Sequence, residues 1–355
     1  KMPDAAWRAA RVANNLNDTN NGGEIQCSEA IAFTGTITVP NLGIQNMTGI
    51  EAFTNITSLV CNNNPLTSGL NVSANTKLVQ LVCNNNNLSS LDVSNNTALT
   101  TLYCYSNSLS SLDVTNNISL FALYCYANNL NSLDVTNNTS LSQLSCFSNS
   151  IPLLELNNCT NLTLLNCANN PITGLDLTEN TLLNSLTLNN TQIETIDLVA
   201  NTALQFFTDN GGALTSLDLS ANPALTVVSV ISNSALASIN IKNGNNTNLS
   251  VFDVRGSSSS LTCIQVSNVN FMNSTFSGGK DAGATYSTIC PLPCIVNIPN
   301  PAFKAALVAN NLIDTNNDDE IECSEAAAYT GSIDVNSLGI TDLTGIEAFT
   351  ALTSL

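Results

Sequence analysis

The sequence predicts a β-dominated solenoid with a parallel β ladder and small α-helical caps. Between Leu78 and Leu182 the chain is a series of 21-residue repeats with the pattern L-x-x-L-x-C-x-x-N-x-L-x-x-L-D-V-x-x-N-x-x. One such repeat is too short to bury its own leucines, so stacked repeats must share a continuous core. Before the repeats, the run Ala5–Asn15 has helical periodicity instead, which places a helix in the cap.

Each repeat begins with a segment in which inward and outward side chains alternate. We expect Leu102 and Cys104 to face the core, and Tyr103 and Tyr105 to face outward. The stacked segments should form a parallel sheet, and the L-D-V half of each repeat should also be extended. An Asn follows each strand, and its amide can satisfy backbone groups of the turn. These residues are Asn64, Asn86, Asn107, Asn128, Asn149 and Asn170.

This pattern resembles the leucine-rich repeat family, whose period and Leu offsets it shares. The 21-residue spacing with a second L-x-x-L-D-L half is similar to a short class of that family found in secreted bacterial proteins. The resemblance implies a protein that binds other molecules.

Composition excludes several classes of function. The 355-residue chain has 43% hydrophobic and 10% charged residues, a net charge of −18 and no His. Without a basic patch, neither nucleic acid nor an anionic membrane surface is an expected partner. No apolar run reaches the roughly 18 residues of a membrane span, so we expect no membrane insertion. Because Ser–His and Cys–His pairs are impossible, we expect no enzyme activity.

The twelve cysteines divide by position. Six occupy the inward position of the strands. Cysteines on neighbouring parallel strands have a geometry that suits a disulfide poorly, so we expect these six to be buried free thiols. The alternative is partial oxidation or metal binding. The six cysteines are Cys61, Cys83, Cys104, Cys125, Cys146 and Cys167. Cys159 replaces an Asn and should also be free. We predict the disulfides Cys263–Cys290 and Cys294–Cys323, whereas the partner of Cys27 would precede this sequence.

The first cap contains a loop that resembles an EF-hand. Helices are expected over Ala5–Asn15 and Ser28–Phe33, the second with Ser28 as its N-cap. The loop Asp18–Glu29 between them has the spacing of a calcium site. Its candidate ligands are Asp18, Asn20, the Glu24 carbonyl and Glu29.

A second loop of this type spans Asp314–Glu325. Its candidate ligands are Asp314, Asn316, Asp318, the Glu320 carbonyl, Glu322 and Glu325. Each loop departs once from the pattern, since Asp319 stands where Gly is usual and Gly22 removes one ligand from the first loop. Calcium would be a structural cofactor that locks the cap. The alternative is an acidic turn that binds no metal.

A second copy of the N-terminal sequence begins after residue 295. The sequence from Ile298 resembles that from Met2, and with the same offset Cys323 falls on Cys27. We therefore expect a helical cap and first coil at 1–55, the solenoid at 56–248, a C-terminal cap with a Pro linker at 249–295 and an incomplete second module at 296–355. Further copies of the module, in tandem, are the first expected partner.

Two features concern carboxylates. An acidic residue follows a Leu, or in one repeat Ile196, and should accept N–H groups of its own turn, which does not favour a paired-carboxylate enzyme site. The series is Asp92, Asp113, Asp134, Glu155, Asp176, Asp197 and Asp218. Asp209 stands at a core position of a strand. We expect a local bulge near Gly211 and Gly212, with a buried functional carboxylate as the alternative.

Five aromatic side chains cluster at outward positions of the predicted sheet. They are Tyr103, Tyr105, Tyr124, Tyr126 and Phe147. Exposed aromatic clusters favour ligand binding, whereas cross-strand stacking that steadies the sheet is an equal alternative.

These features predict an extracellular or cell-surface, non-enzymatic protein that serves adhesion or structural scaffolding, for example as a fibre. The alternative is a glycan-binding module that uses the aromatic patch. A ligand on the aromatic side chains would accordingly be a protein or a glycan.

Overall fold

The computed structural model describes residues 2–13, 18–20, 22–290, 295–315 and 319–355. Two compact units make up the chain, Lys1–Thr288 and Ile289–Leu355. The first unit is a parallel solenoid with a helical cap at its start. None of the helices in the described part of the chain has the length and hydrophobicity that crossing a bilayer requires.

The described residues form fifteen short strands, one or two for each turn of the solenoid. In chain order they are β1 (Thr36–Thr38), β2 (Ser58–Val60), β3 (Gln80–Val82), β4 (Thr101–Tyr103), β5 (Ala122–Tyr124), β6 (Gln143–Ser145), β7 (Leu164–Asn166), β8 (Ser185–Thr187), β9 (Phe206–Thr208), β10 (Ser216–Asp218), β11 (Val227–Ser229), β12 (Ser238–Ile241), β13 (Val251–Asp253), β14 (Cys263–Val266) and β15 (Thr285–Ser287).

Eleven strands form the main sheet, in the order β1 to β9, then β11 and β13, and every neighbouring pair is parallel. The register is regular, because Tyr103 of β4 pairs with Tyr124 of β5 and Tyr124 pairs with Ser145 of β6. Strands β10, β12, β14 and β15 form a second parallel sheet. The parallel sheet predicted from the repeat is confirmed, whereas in the described residues a ladder in the second half of the repeat begins only at β10.

Helices lie outside the repeats. Helix α1 spans Ala5–Val12, and the Asp4 carboxylate caps it by accepting the Trp7 N–H. Helix α2 spans Cys27–Ala32 and begins with a capping box between Gln26 and Glu29. The prediction that Ser28 is the N-cap is therefore wrong, because the helix starts one residue earlier and Glu29 reaches back to the Gln26 N–H.

The remaining helices are also short. They are α3 (Val269–Thr275), α4 (Pro301–Val308) and α5 (Cys323–Ala328), with 3-10 turns at Ile50–Ala52, Asn246–Asn248 and Ile346–Ala348.

The second unit contains the same elements as the start of the first. Helices α4 and α5 and the 3-10 turn at Ile346–Ala348 follow their counterparts in the first unit at one constant offset along the chain. The parallel bridge between Ser332 and Ser354 has the same offset from the pairing of Thr36 with Ser58. The core of this unit contains Phe303 and Leu307 from α4.

The core of the solenoid is a stack of similar layers. Leu and Cys side chains of the main sheet point inward and are fully buried, as Leu102 and Cys104 are. The six strand cysteines, which we call the Cys column, are all buried and free, and Cys159 is free as well. Burial raises the pKa of the Cys61 thiol to about 12 and that of the Cys104 thiol well above its usual value. The predicted buried thiols are confirmed.

The Asn residues that follow the strands, the turn Asn column, connect one turn of the solenoid to the next. The Asn107 amide donates to the carbonyls of Cys83 and Cys104 and accepts the N–H of Leu88. These bonds satisfy backbone groups that lie beyond the sheet, as the sequence predicts.

A second set of Asn residues, the inner Asn column, lies in the core near the other turn. Each side-chain amide donates to two carbonyls of the preceding turn, as Asn138 does to Val114 and Asn117. The members are Asn75, Asn96, Asn117, Asn138, Asn180, Asn201 and Asn222. Their side-chain oxygens are buried and have no hydrogen-bond donor among the described residues. The column therefore stabilises the turns through its N–H groups.

Cys159 interrupts the inner Asn column. Its thiol faces the carbonyls of Val135 and Asn138 at 3.5 and 3.9 Å, where an Asn would donate two N–H bonds. A thiol is a weak donor, so these two carbonyls are poorly satisfied.

We expect Cys159→Asn to raise the free energy of unfolding by about 1–2 kcal/mol, because it supplies two amide hydrogen bonds in a buried place. Urea unfolding of the purified chain measures this. The matched control is Asn138→Cys, which should destabilise by a similar amount. A Cys159→Asn variant less stable than the parent would show that the buried amide oxygen outweighs the new bonds.

Candidate functional site

The five aromatic side chains form two stacked columns, one on the outward side of β4 and β5 and one just past the C-terminal ends of β4 to β6. We call this surface the aromatic face. The rings of Tyr103 and Tyr124 stack with centroids 4.6 Å apart. Tyr105, Tyr126 and Phe147 form a second column with spacings of 4.2 Å. Burial and the neighbouring Tyr105 raise the pKa of Tyr126 to about 12.

The structure therefore shows the predicted cross-strand stacking. Adjacent parallel strands lie about 4.8 Å apart, which is the separation that stacked rings need. Stacking and ligand binding are compatible, because a ring at the end of a column has a neighbour on one face only. The Tyr124 hydroxyl also donates to Gln143 Oε1 at 2.8 Å, which orients the end ring of the first column.

The outward face of the main sheet is almost without charge. Among the eleven described strands, only β13 places a charged side chain, Asp253, at an outward position. The chain nevertheless carries a net charge of −18. Its acidic residues thus lie elsewhere, and a ligand on this face would meet hydroxyls, amides and aromatic rings.

The acidic series occupies the exposed turns. Asp113 accepts the hydroxyl and the N–H of Thr115, and these bonds lower the pKa of its carboxyl. Asp92, Asp134, Asp176, Asp197 and Asp218 likewise accept the N–H of the residue two positions later. The prediction that each carboxylate serves its own turn is confirmed for these six residues.

The first EF-hand-like loop is held by its own backbone. Asp18 is buried and accepts the N–H groups of Gly22 and Gly23, one on each oxygen. Glu29 Oε1 accepts three hydrogen bonds, from the Thr19 N–H, the Thr19 hydroxyl and the Asn20 N–H. Bonds from the Gln26 N–H and the Thr19 hydroxyl lower the pKa of Glu29.

These bonds define how the loop fits a calcium ion. Within the described residues, each Asp18 oxygen accepts one hydrogen bond and Asn20 Oδ1 accepts one as well, which leaves lone pairs for a cation. Glu29 does not fit in this conformation, because a bidentate calcium ligand needs both oxygens and Oε1 is saturated. Among the described residues no group of three or more acidic, His or Cys side chains is arranged to hold a metal ion.

The second loop repeats these contacts where the structure describes it. Glu325 Oε1 accepts the N–H and the hydroxyl of Thr315, and Asp314 accepts the Asp319 N–H. Lys304 forms an ion pair with the Glu320 side chain. The predicted ligands Asn316 and Asp318 lie outside the described residues.

Three of the four predicted disulfide cysteines are disulfide-bonded. They are Cys263, Cys290 and Cys323. Cys294 lies outside the described residues, and the pairing stays a prediction. Cys27 has a free, exposed thiol.

Asp209 is a carboxylate of the solenoid core that sequence analysis misjudged. The bulge prediction is wrong: Leu188, Asp209 and Val230 are evenly spaced by one repeat, and the Asp209 N–H keeps its ladder bond to the Ser229 carbonyl. The side chain is 1% exposed, and neither oxygen has a hydrogen-bond partner in the described part of the chain. Burial raises the pKa of its carboxyl to about 7.

The Asp209 carboxyl fills the place of a missing turn Asn. Gly212 stands at the turn Asn position of this repeat, and a Cβ built on it would collide with Asp209 Oδ1. In the repeats that have Asn at this position, as at Asn107 and Asn170, the amide donates to carbonyls, whereas an ionised carboxylate cannot donate. The neighbouring inward side chains, Leu188 and Val230, provide no counter-charge.

We expect Asp209→Cys to be more stable than the parent at pH 8, and the difference to shrink towards pH 4. The folded state holds the proton more tightly than the unfolded state. The parent therefore loses stability as pH rises from about 4 to about 7, by up to about 4 kcal/mol. Urea unfolding of both proteins at several pH values measures the difference.

Asp209→Asn is the control for this prediction, because the Asn carboxamide has nearly the same shape as the Asp carboxyl but does not titrate. Its stability relative to Asp209→Cys should not change with pH. If the free energies of unfolding of the parent and of Asp209→Cys differ by the same amount at every pH, Asp209 does not titrate in this range.

Comparison with known proteins supports the fold. No protein-family model matches the chain, and no curated protein sequence matches it. Among solved structures, YopM from Yersinia enterocolitica has a TM-score of 0.54 at 20% identity, over 73% of this chain and 55% of that one. An internalin, InlF, from Listeria monocytogenes has a TM-score of 0.49 at 19% identity, over 82% and 96%.

A third structure is the functional domain of InlJ from Listeria monocytogenes, which is described as including a cysteine ladder. Its TM-score is 0.42 at 25% identity, over 75% of this chain and 74% of that one. The parallel sheet, the shared core and the 21-residue turn define a repeat solenoid. Among repeat solenoids, the fold is that of the leucine-rich-repeat proteins.

Proposed function

We propose that this protein is an extracellular, non-enzymatic binding scaffold that serves adhesion or the structure of a cell surface or fibre. The observation that carries the proposal is the aromatic face, two stacked ring columns on a sheet surface nearly free of charge. Aromatic side chains are enriched where proteins bind one another. The disulfide-bonded Cys263, Cys290 and Cys323 fit an oxidising compartment.

The aromatic face is also suited to binding because its rings hold one another in place. Each stacked pair is worth about 0.5–1.5 kcal/mol beyond the area it buries. A ligand therefore meets side chains that lose little conformational freedom on binding. Because the face has few charges, the affinity of a ligand for it should depend only weakly on salt.

This proposal is tested by binding of the full chain to arrays of extracellular-matrix proteins and of neutral glycans, measured at low and at high salt. We expect at least one probe to bind, with little loss at high salt, and the double variant Tyr105→Ser/Tyr126→Ser to weaken that binding at least about tenfold. The matched control is Phe121→Ala, which removes an exposed aromatic side chain that belongs to neither column.

Circular dichroism and thermal melting establish that each variant is folded. Binding that survives the double variant but is lost at high salt would point to the acidic turns and overturn the proposal. The absence of binding to any probe would also count against it.

We further propose that the EF-hand-like loops bind calcium as a structural ion. Counting only bonds from described residues, Asp18 and Asn20 have lone pairs left for the ion, and Glu29 would exchange its bonds to Thr19 and Asn20 for the metal. In the second loop, Glu325 would release Thr315 in the same way.

Calcium should raise the melting temperature of the full chain relative to a chelator. The double variant Glu29→Gln/Glu325→Gln should lose this sensitivity, because a carboxamide is a weaker ligand. Asp92→Asn, which changes an acidic turn outside both loops, is the control and should keep it. Equal melting temperatures of the parent with calcium and with chelator would refute calcium binding.

The final part of the proposal is that the molecule is built of tandem modules. It is supported by the constant offset between equivalent elements of the two units. Further copies of the module would then be its neighbours along the chain.

A further inference from the structure

The first aromatic column ends abruptly at β6. Tyr103 and Tyr124 occupy equivalent positions of β4 and β5, and the next residue in that register is Ser145. The ring of Tyr124 is stacked on Tyr103 through one face. The hydrogen bond to Gln143 holds it in this orientation. The second face of the Tyr124 ring therefore points along the solenoid axis, towards small side chains.

A depression of about 290 Å³ lies beside this free ring face. Its lining includes Tyr124, Ser145, Leu164, Asn166, Ser185 and Thr187. We call it the Tyr124 slot. Its volume lies just below the range of about 300–1,000 Å³ for small-molecule sites, so the slot suits a single ring.

Polar groups line the Tyr124 slot, of which Asn166, Ser185 and Thr187 are half-buried and Ser145 is only 6% exposed. Within the described residues, the Ser145, Ser185 and Thr187 hydroxyls form no hydrogen bond to the protein. The Asn166 side chain accepts one bond from the Ala168 N–H, and its own N–H groups have no acceptor in the described part. One aromatic wall is thus combined with hydroxyl and amide groups and with no charge.

We propose that the Tyr124 slot binds one pyranose ring of a neutral glycan, stacked by its C–H face on Tyr124. This inference rests on the proposed function, because the slot belongs to the aromatic face. A pyranose ring combines an apolar face with hydroxyls at its edge, which matches the wall and the floor of the slot. An aromatic side chain of a protein partner would leave these hydroxyls unpaired, which is unfavourable for a desolvated site.

An anionic or cationic ligand fits less well. No side chain of the slot carries a charge, so the desolvation of an ionised group would have no compensation. The chemistry therefore selects a neutral sugar, and the side chains around the ring determine which hydroxyl configuration is preferred.

Ser145→Tyr tests the slot without removing any part of its aromatic wall. The new ring would continue the Tyr103–Tyr124 column and occupy the place of the sugar. Tyr is favoured in strands, but Ser145 is only 6% exposed, so circular dichroism and thermal melting must first establish that the variant is folded. Its matched control is Thr38→Tyr, at the equivalent outward position of β1 at the far end of the main sheet.

The probes are neutral gluco-, galacto- and manno-configured oligosaccharides, titrated into the full chain by calorimetry. At least one should bind the parent, and Ser145→Tyr and Tyr124→Ala should each weaken it about tenfold or more, whereas Thr38→Tyr should leave the affinity unchanged. Equal binding by the parent and Ser145→Tyr, or no binding of any neutral glycan, would overturn the inference.

The two proposals can fail separately. If the full chain binds matrix proteins through the aromatic face but binds no glycan, the proposed function stands and the sugar slot is wrong. If neither class of probe binds, both are wrong.

Discussion

The structure depends on one constraint, which is that every turn of the solenoid must satisfy the backbone polar groups that no β ladder reaches. The main sheet pairs only a short segment of each turn, so most carbonyls and N–H groups lie in the bends. The turn Asn column satisfies one bend and the inner Asn column the other. Because these bonds run from one turn to the next, they also set the spacing of the stack.

The repeats that lose an amide show how the constraint is relaxed. Cys159 leaves two carbonyls with a weak donor, and Gly212 leaves its place to the Asp209 carboxyl. Directly after Gly212, the second half of the repeat becomes the strand β10 and begins the second sheet. The amides nevertheless continue beyond this point, because Asn222 still donates to the Leu198 and Asn201 carbonyls and Asn233 donates to the Asp209 carbonyl. Ladder hydrogen bonds are therefore added to the side-chain amides in this part of the solenoid.

Sequence analysis could predict the parallel sheet and the inward Leu and Cys residues, because a strict period determines which side chains face the shared core. It could not assign the donors and acceptors between turns, since these depend on distances that periodicity does not contain. Asp209 illustrates the limit: Gly211 and Gly212 suggest a bulge, yet the register continues unchanged. The stacking of Tyr105, Tyr126 and Phe147 was one of two alternatives that the sequence left open.

The separation of structural and surface roles explains why a binding face can develop on this solenoid. The core and both Asn columns determine the fold, so the outward residues of the main sheet are free to vary between turns. On the strands the rings lie in β4 and β5, and their column ends before Ser145 of β6, where small polar residues follow. In the described strands, a step from stacked rings to hydroxyls and amides therefore exists at only one place along that register, which makes it a specific site on an otherwise repetitive surface. Its position is determined by the same interturn bonds that hold the stack together.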